Sequence, residues 1–216
     1  MTVILVFGTS TTYGAWDTEG GWVQRLRKHL DEKQLANENL YYMVYNLGVD
    51  GNTSTDILER VEFETLQRTK LLEKGEEVIT ILGAGTNDSI INNKTKKHHV
   101  SLEAYELKIK KIIALAKKNS TKILFVGAKP LDESKVNPIP WLKGHSYKNE
   151  HIEKYDKKLA EVCKKSDILF IDVYSKMTKI KGYEKLLPDG VHPNNEGHKL
   201  IFEIVRDALI KNKIIP

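Results

Sequence analysis

The sequence carries a single cysteine, Cys163. That excludes an internal disulfide framework and any zinc site built on several thiolates. It has no long apolar run either. The longest, Met1 to Phe7 broken only by Thr2, falls far short of the roughly 20 residues that span a bilayer, so no stable membrane insertion is expected. The N-terminus lacks the basic flank and small-residue cleavage site of an export signal, and a cytoplasmic location is the expectation. No low-complexity linker and no internal repeat interrupts the 216 residues. One domain over 1–216 is expected, since a chain of this length buries about 70% of its unfolded surface. Charge of one sign is only slightly in excess: 34 Lys and Arg against 29 Asp and Glu leave +5.

Several familiar site signatures are also missing. The loop after the first apolar run has glycines at Gly8 and Gly14, but Ala15 stands where a phosphate-binding loop needs lysine. No GxGxxG follows that run. Thr12 occupies the second glycine's place in Gly-x-Ser-x-Gly, so this is not the usual nucleophile elbow. With no HExxH and no Cys/His cluster, neither a metal nor a cofactor is expected. Between residues 94 and 122 stand nine lysines against only Glu103 and Glu106. Apolar positions interleave with them at helical spacing, which reads as a solvated helix face. No aromatic–basic motif points to nucleic acid, so no nucleic-acid partner is expected.

What is present is an alternation of short apolar runs with longer amphipathic stretches. Strands are expected at Val3–Phe7, Tyr41–Leu47, Val78–Leu82, Ile123–Val126 and Ile168–Ile171. Helices are expected over 21–35, after Thr53, over 100–118, from about Tyr147 to Lys165 and from about Asn195 to Ile210. Parallel strands need a crossover helix between them. The pattern therefore predicts an α/β fold, doubly wound, with a five-stranded parallel sheet flanked by helices. In such a sheet ligands bind beyond the carboxyl ends of the strands.

The segments placed there or close by are 7–14, 46–53, 83–88 and 187–193, each rich in Gly, small hydroxyls or amides. Together they hold a hydroxyl (Ser10), an imidazole (His192) and a carboxylate (Asp189), the inventory of nucleophilic acyl transfer. Each residue alone has a plainer reading: Ser10 as a helix cap, Asp189 with His192 as a surface turn. Tyr13, Trp16 and Trp141 are candidate pocket walls or ordinary packing. His198, on the last helix, is expected at the surface or as a cap. Cys163 is expected as a buried small hydrophobe on a helix.

Taken in order, the four segments resemble the blocks of SGNH hydrolases, also called GDSL esterases and lipases. Phe7-Gly-Thr-Ser-Thr-Thr-Tyr-Gly14 resembles F-G-D-S-x-T-x-G, Asn46-Leu-Gly-Val-Asp-Gly51 resembles N-x-G-x-x-G, Gly85-Thr-Asn-Asp88 resembles G-x-N-D, and Asp189-Gly-Val-His-Pro193 resembles D-x-x-H-P. The resemblance implies a flavodoxin-like fold and a serine esterase acting on a small-molecule ester. Ser10 is then the implied nucleophile, with His192 as base and Asp189 as its orienting carboxylate. The Ser10 and Gly51 backbone N–H groups and the Asn87 amide are the implied oxyanion donors. One departure stands out: Thr9 replaces the signature's aspartate, which bears on the Ser10 turn and on the substrate pocket. The blocks leave open a carbohydrate O-deacetylase or an acyltransferase on the same fold, and a catalytically inactive binding module.

Overall fold

In the first strand, β1 (Thr2–Gly8), an unbroken apolar run serves two cores at once. Val3, Leu5 and Phe7 point to one side, Ile4 and Val6 to the other, and all five are essentially inaccessible. Side chains alternate across a strand, so a run with no polar member suits a strand covered on both faces. The computed structural model describes all 216 residues, Met1–Pro216. After β1 come α1 (Ser10–Tyr13), α2 (Gly21–Leu35), β2 (Tyr42–Gly48), α3 (Ser54–Thr69), β3 (Glu77–Leu82) and β4 (Ile91–Asn92). Then follow α4 (Leu102–Asn119), β5 (Lys122–Val126), α5 (Glu133–Val136), β6 (His145–Ser146), α6 (Asn149–Lys165) and β7 (Leu169–Ile171). The chain closes with α7 (Tyr174–Thr178), a 3₁₀ turn (Tyr183–Leu186) and α8 (Asn195–Lys211).

The five longer strands form one parallel sheet in the order β2-β1-β3-β5-β7, as the alternation predicts. Helices α3, α4 and α6 cover one face through residues such as Val61, Ile109 and Leu159. Helices α2 and α8 cover the other through Leu26, Leu30, Ile201 and Val205. Burying each such side chain is worth about 1.5–3 kcal/mol. Cys163 is buried on α6, and burial pushes its thiol up to about 12, which keeps it protonated and unreactive. In the lysine-rich stretch, Lys110 and Lys118 pair with Glu106 and Glu62 at the surface. No helix is long and apolar enough to cross a membrane.

The expected element borders move by one or two residues. The two-residue ribbon β4–β6 and the short helices α1, α5 and α7 add pieces of two to five residues. Elements that short carry no readable period. His198 overturns its expectation: it is fully buried, and its Nε2 bonds the Ala15 carbonyl at 3.0 Å. The reason lies in the helix stripe. His198, Ile201, Val205 and Leu209 share one face of α8 at helical spacing, and that face packs into the core.

Candidate active site

The carboxyl ends of the sheet strands bring the four segments together. At the end of β1 the chain turns directly into α1, so Ser10 opens a single helical turn and is only 5% exposed. The turn is pressed against the end of β2: a Cβ on Gly48 would stand 2.1 Å from the Tyr13 nitrogen, so only glycine fits. The Asn46 amide donates to the carbonyls of Thr12 and Tyr13 at 2.9 and 3.2 Å, and its Oδ1 accepts the Gly48 N–H. Asn46 thereby ties the second segment to the helix that carries Ser10. The loop continues into α3, whose start is fixed by a reciprocal capping box between Thr53 and Asp56.

His192 arrives from the other end of the chain. Its Nε2 lies 2.8 Å from Ser10 Oγ, and its Nδ1 lies 2.6 Å from Asp189 Oδ2. The Asp189 side chain is the hub of this loop. Its Oδ1 accepts the backbone N–H groups of Val191 and His192 at 2.9 and 2.7 Å, which turns the chain so that the imidazole swings back over Asp189. Its Oδ2 also accepts Trp16 Nε1 at 2.7 Å. Burial pushes this carboxyl up, but the bonds from His192, Val191 and Trp16 outweigh it and hold the group well below the usual carboxylate range. It therefore stays ionised beside the imidazole. The Trp16 ring stands edge-on to His192, 5.7 Å between centroids.

The expected oxyanion donors Gly51 and Asn87 lie on the loops after β2 and β3. Gly51 adopts a left-handed backbone (φ 71°), and its N–H makes no hydrogen bond within the chain. Asn87 is buried; its amide nitrogen donates to the Asn52 carbonyl at 2.9 Å, and its Oδ1 accepts the Tyr147 hydroxyl at 2.7 Å. Tyr147 thus fixes which end of the amide is the donor, leaving a second N–H on that nitrogen. The neighbouring Asp88 is a brace. Its fully buried carboxylate accepts from the Ser54 N–H, the Ser54 hydroxyl and the Gly85 N–H.

Of the expected pocket residues, Tyr13 and Trp16 border an open cleft of about 410 Å³ that also includes Asp50 and His192. Thr9 instead lines a separate small cavity with Lys129. Trp141 is exposed on the segment after α5. Sequence reasoning missed Tyr147, and it missed Arg60, whose guanidinium donates to the carbonyls of Gly8 and Leu47 and to the Asn52 side chain. Both act across long sequence separations, and no local period marks them.

The sequence model of the GDSL-like lipase/acylhydrolase family matches residues 6–200. The human isoamyl acetate-hydrolyzing esterase 1 homolog is 22% identical over 208 residues, covering 92% of this chain and 77% of that protein. A GDSL esterase/lipase of Arabidopsis thaliana is 25% identical over 154 residues, 64% of each chain. Among solved structures, the lipase/acylhydrolase from Enterococcus faecalis superposes with a TM-score of 0.69 at 22% identity, over 98% of this chain and 97% of that one. An acetylxylan esterase from Geobacillus stearothermophilus gives 0.72 at 19% identity, over 95% and 92%. At such identities the structural likeness speaks for the fold, while the family match covers most of the chain. The chain belongs to the GDSL-like lipase/acylhydrolase family, and with that membership it stands among the ester hydrolases.

Proposed function

We propose that this protein hydrolyses a small carboxylic ester through a Ser10–His192–Asp189 triad and an acyl-enzyme intermediate. The observation that carries the reading is the unbroken hydrogen-bonded chain from Ser10 Oγ through the imidazole to Asp189 Oδ2. Serine is a weak nucleophile until a base takes its proton. In this reading Ser10 Oγ attacks the ester carbonyl while His192 Nε2 accepts the hydroxyl proton. Asp189 holds Nδ1–H, fixes the tautomer and stabilises the imidazolium that forms. The Ser10 and Gly51 N–H groups and the Asn87 amide receive the developing oxyanion. His192 then returns its proton to the departing alkoxide, leaving the acyl group on Ser10. A water attacks that ester with His192 again as base, and the acid leaves with Ser10 regenerated. Thr9 takes part in no proton transfer, so its replacement of the signature's aspartate leaves this sequence of steps intact.

A fluorophosphonate probe tests the reading. A covalent adduct on Ser10 of the folded protein, with turnover of short p-nitrophenyl esters, is the expected result. No adduct and no turnover would reject it. The oxyanion assignment has its own test: Asn87→Ala should lower kcat by on the order of 10²–10³ with KM little changed, as for other single oxyanion donors. Near-full activity in that variant would remove Asn87 from the site.

One observation favours a carbohydrate O-deacetylase as the second reading. Tyr13 and Trp16, each 63% exposed, border the cleft beside His192. Exposed flat aromatic faces at a cleft suit stacking on a sugar ring. Assays comparing acetylated xylooligosaccharides with p-nitrophenyl esters of graded chain length separate the two. Adding an alcohol acceptor to the same assays reveals acyl transfer.

A further inference from the structure

Directly behind the Ser10 turn lies a cavity of about 50 Å³, distinct from the cleft that borders His192. Its polar wall is made by four threonines, Thr9, Thr11, Thr12 and Thr86, and by Lys129 from the loop after β5; core residues such as Trp22 form the rest. Lys129 is only 4% exposed, and its Nζ is buried with no hydrogen-bond partner in the chain. Lysine is almost never buried unless paired, and an isolated buried ammonium is costly. The only carboxylate whose charge reaches it is Asp189. That carboxylate forms no ion pair with Lys129 and is already engaged by the four donors described above. Burial pulls the ammonium down to about 8.

From this geometry we infer that the Lys129 cavity is a binding site for a small monovalent anion, of the size of chloride or formate. The ammonium supplies the charge, and threonine hydroxyls supply donors around it. The space admits such an ion: a water needs roughly 10–15 Å³ by the same measure, so about 50 Å³ has room for one small ion with a few waters and excludes larger anions. Three of the four threonines flank Ser10 in sequence, so the bound anion braces the turn that presents the nucleophile. Thr9 stands where the signature of the resembled family has a carboxylate. In this chain an exogenous anion takes the place of that fixed charge, opposite a lysine that would otherwise be unpaired.

The test measures thermal stability at constant ionic strength while gluconate, too large for the cavity, is exchanged for chloride or for formate. In the wild type the melting temperature should rise by about 3–5 °C per tenfold increase in anion above its Kd. A response to chloride identifies an inorganic ion as occupant; a response to formate extends the site to carboxylates. Lys129→Met should abolish the dependence, since it removes the charge but keeps the volume. Thr9→Asp should also abolish it by supplying an internal carboxylate, and should raise the melting temperature in gluconate. A response to neither anion, or one that persists in Lys129→Met, overturns the inference. Should either variant fail to fold, bromide-soaked crystals of the wild type decide: an anomalous peak within hydrogen-bonding reach of Lys129 Nζ supports the site, and none there rejects it.

Discussion

Ser10→Ala should lower kcat for ester hydrolysis by on the order of 10⁵–10⁶, the scale seen when a triad nucleophile is removed. The change deletes one oxygen from a side chain with a single hydrogen-bond partner, His192 Nε2. Folding should therefore be nearly unaffected, and the melting temperature should stay within a few degrees. The residues of a triad act as one unit, so Ser10→Ala combined with His192→Ala should be no slower than either alone. Steady-state kinetics on the three purified variants, with loss of fluorophosphonate labelling in Ser10→Ala, make the measurement. If Ser10→Ala keeps more than about a hundredth of wild-type kcat, the nucleophile lies elsewhere.

The second large effect is expected at Asp189. Asp189→Asn preserves shape but turns one carboxylate oxygen into a donor. Oδ1 must still accept from the Val191 and His192 backbones, so the amide nitrogen falls at the Oδ2 position, facing Trp16 Nε1 and His192 Nδ1. Three donors then meet. The imidazole can relieve the clash only by moving its proton to Nε2, the nitrogen that takes the proton of Ser10 in the proposed mechanism. A drop in kcat on the order of 10⁴ is expected, with KM changed far less. A loss under tenfold would mean that Asp189 orients nothing essential.

The same carboxylate sets a pH effect on stability. Its native pKa is depressed, so its stabilising contribution is fully present above the unfolded value of about 3.9 and is lost as pH falls below that. Acid unfolding of the wild type should therefore steepen below about pH 4, and Asp189→Asn should lack that component. Melting curves between pH 3 and pH 7 measure the difference.

Much of this fold is legible along the chain because its signals are local. A strand buried on both faces needs an unbroken apolar run, and Val3–Phe7 can be little else. The capping box at Thr53 and Asp56 marks a helix start within four residues. The stripe that buries His198 is equally local: its spacing to Ile201, Val205 and Leu209 puts it on the inner face of α8. There the helical period outranks residue type.

Ser10, His192 and Asp189 could be picked out as a set because the segments that hold them follow strand ends or stand near the C-terminus in a fixed order. Residue identity and order are properties of the chain itself. The contacts that bring these and the neighbouring site residues together are not. Trp16 meets Asp189 across 173 positions, Tyr147 meets Asn87 across 60, and Ser10 meets His192 across 182. Hydrogen bonds at such separations depend on where the strands end in space, which a one-dimensional pattern does not encode. Lys129 is the clearest case. In the sequence it is one of many lysines, and lysine is normally a surface residue. Only the packing of the loop after β5 beneath α1 removes its ammonium from water and leaves it facing four threonines. Helix period and strand alternation follow from bonds between near neighbours, whereas desolvation depends on every element that closes over a group.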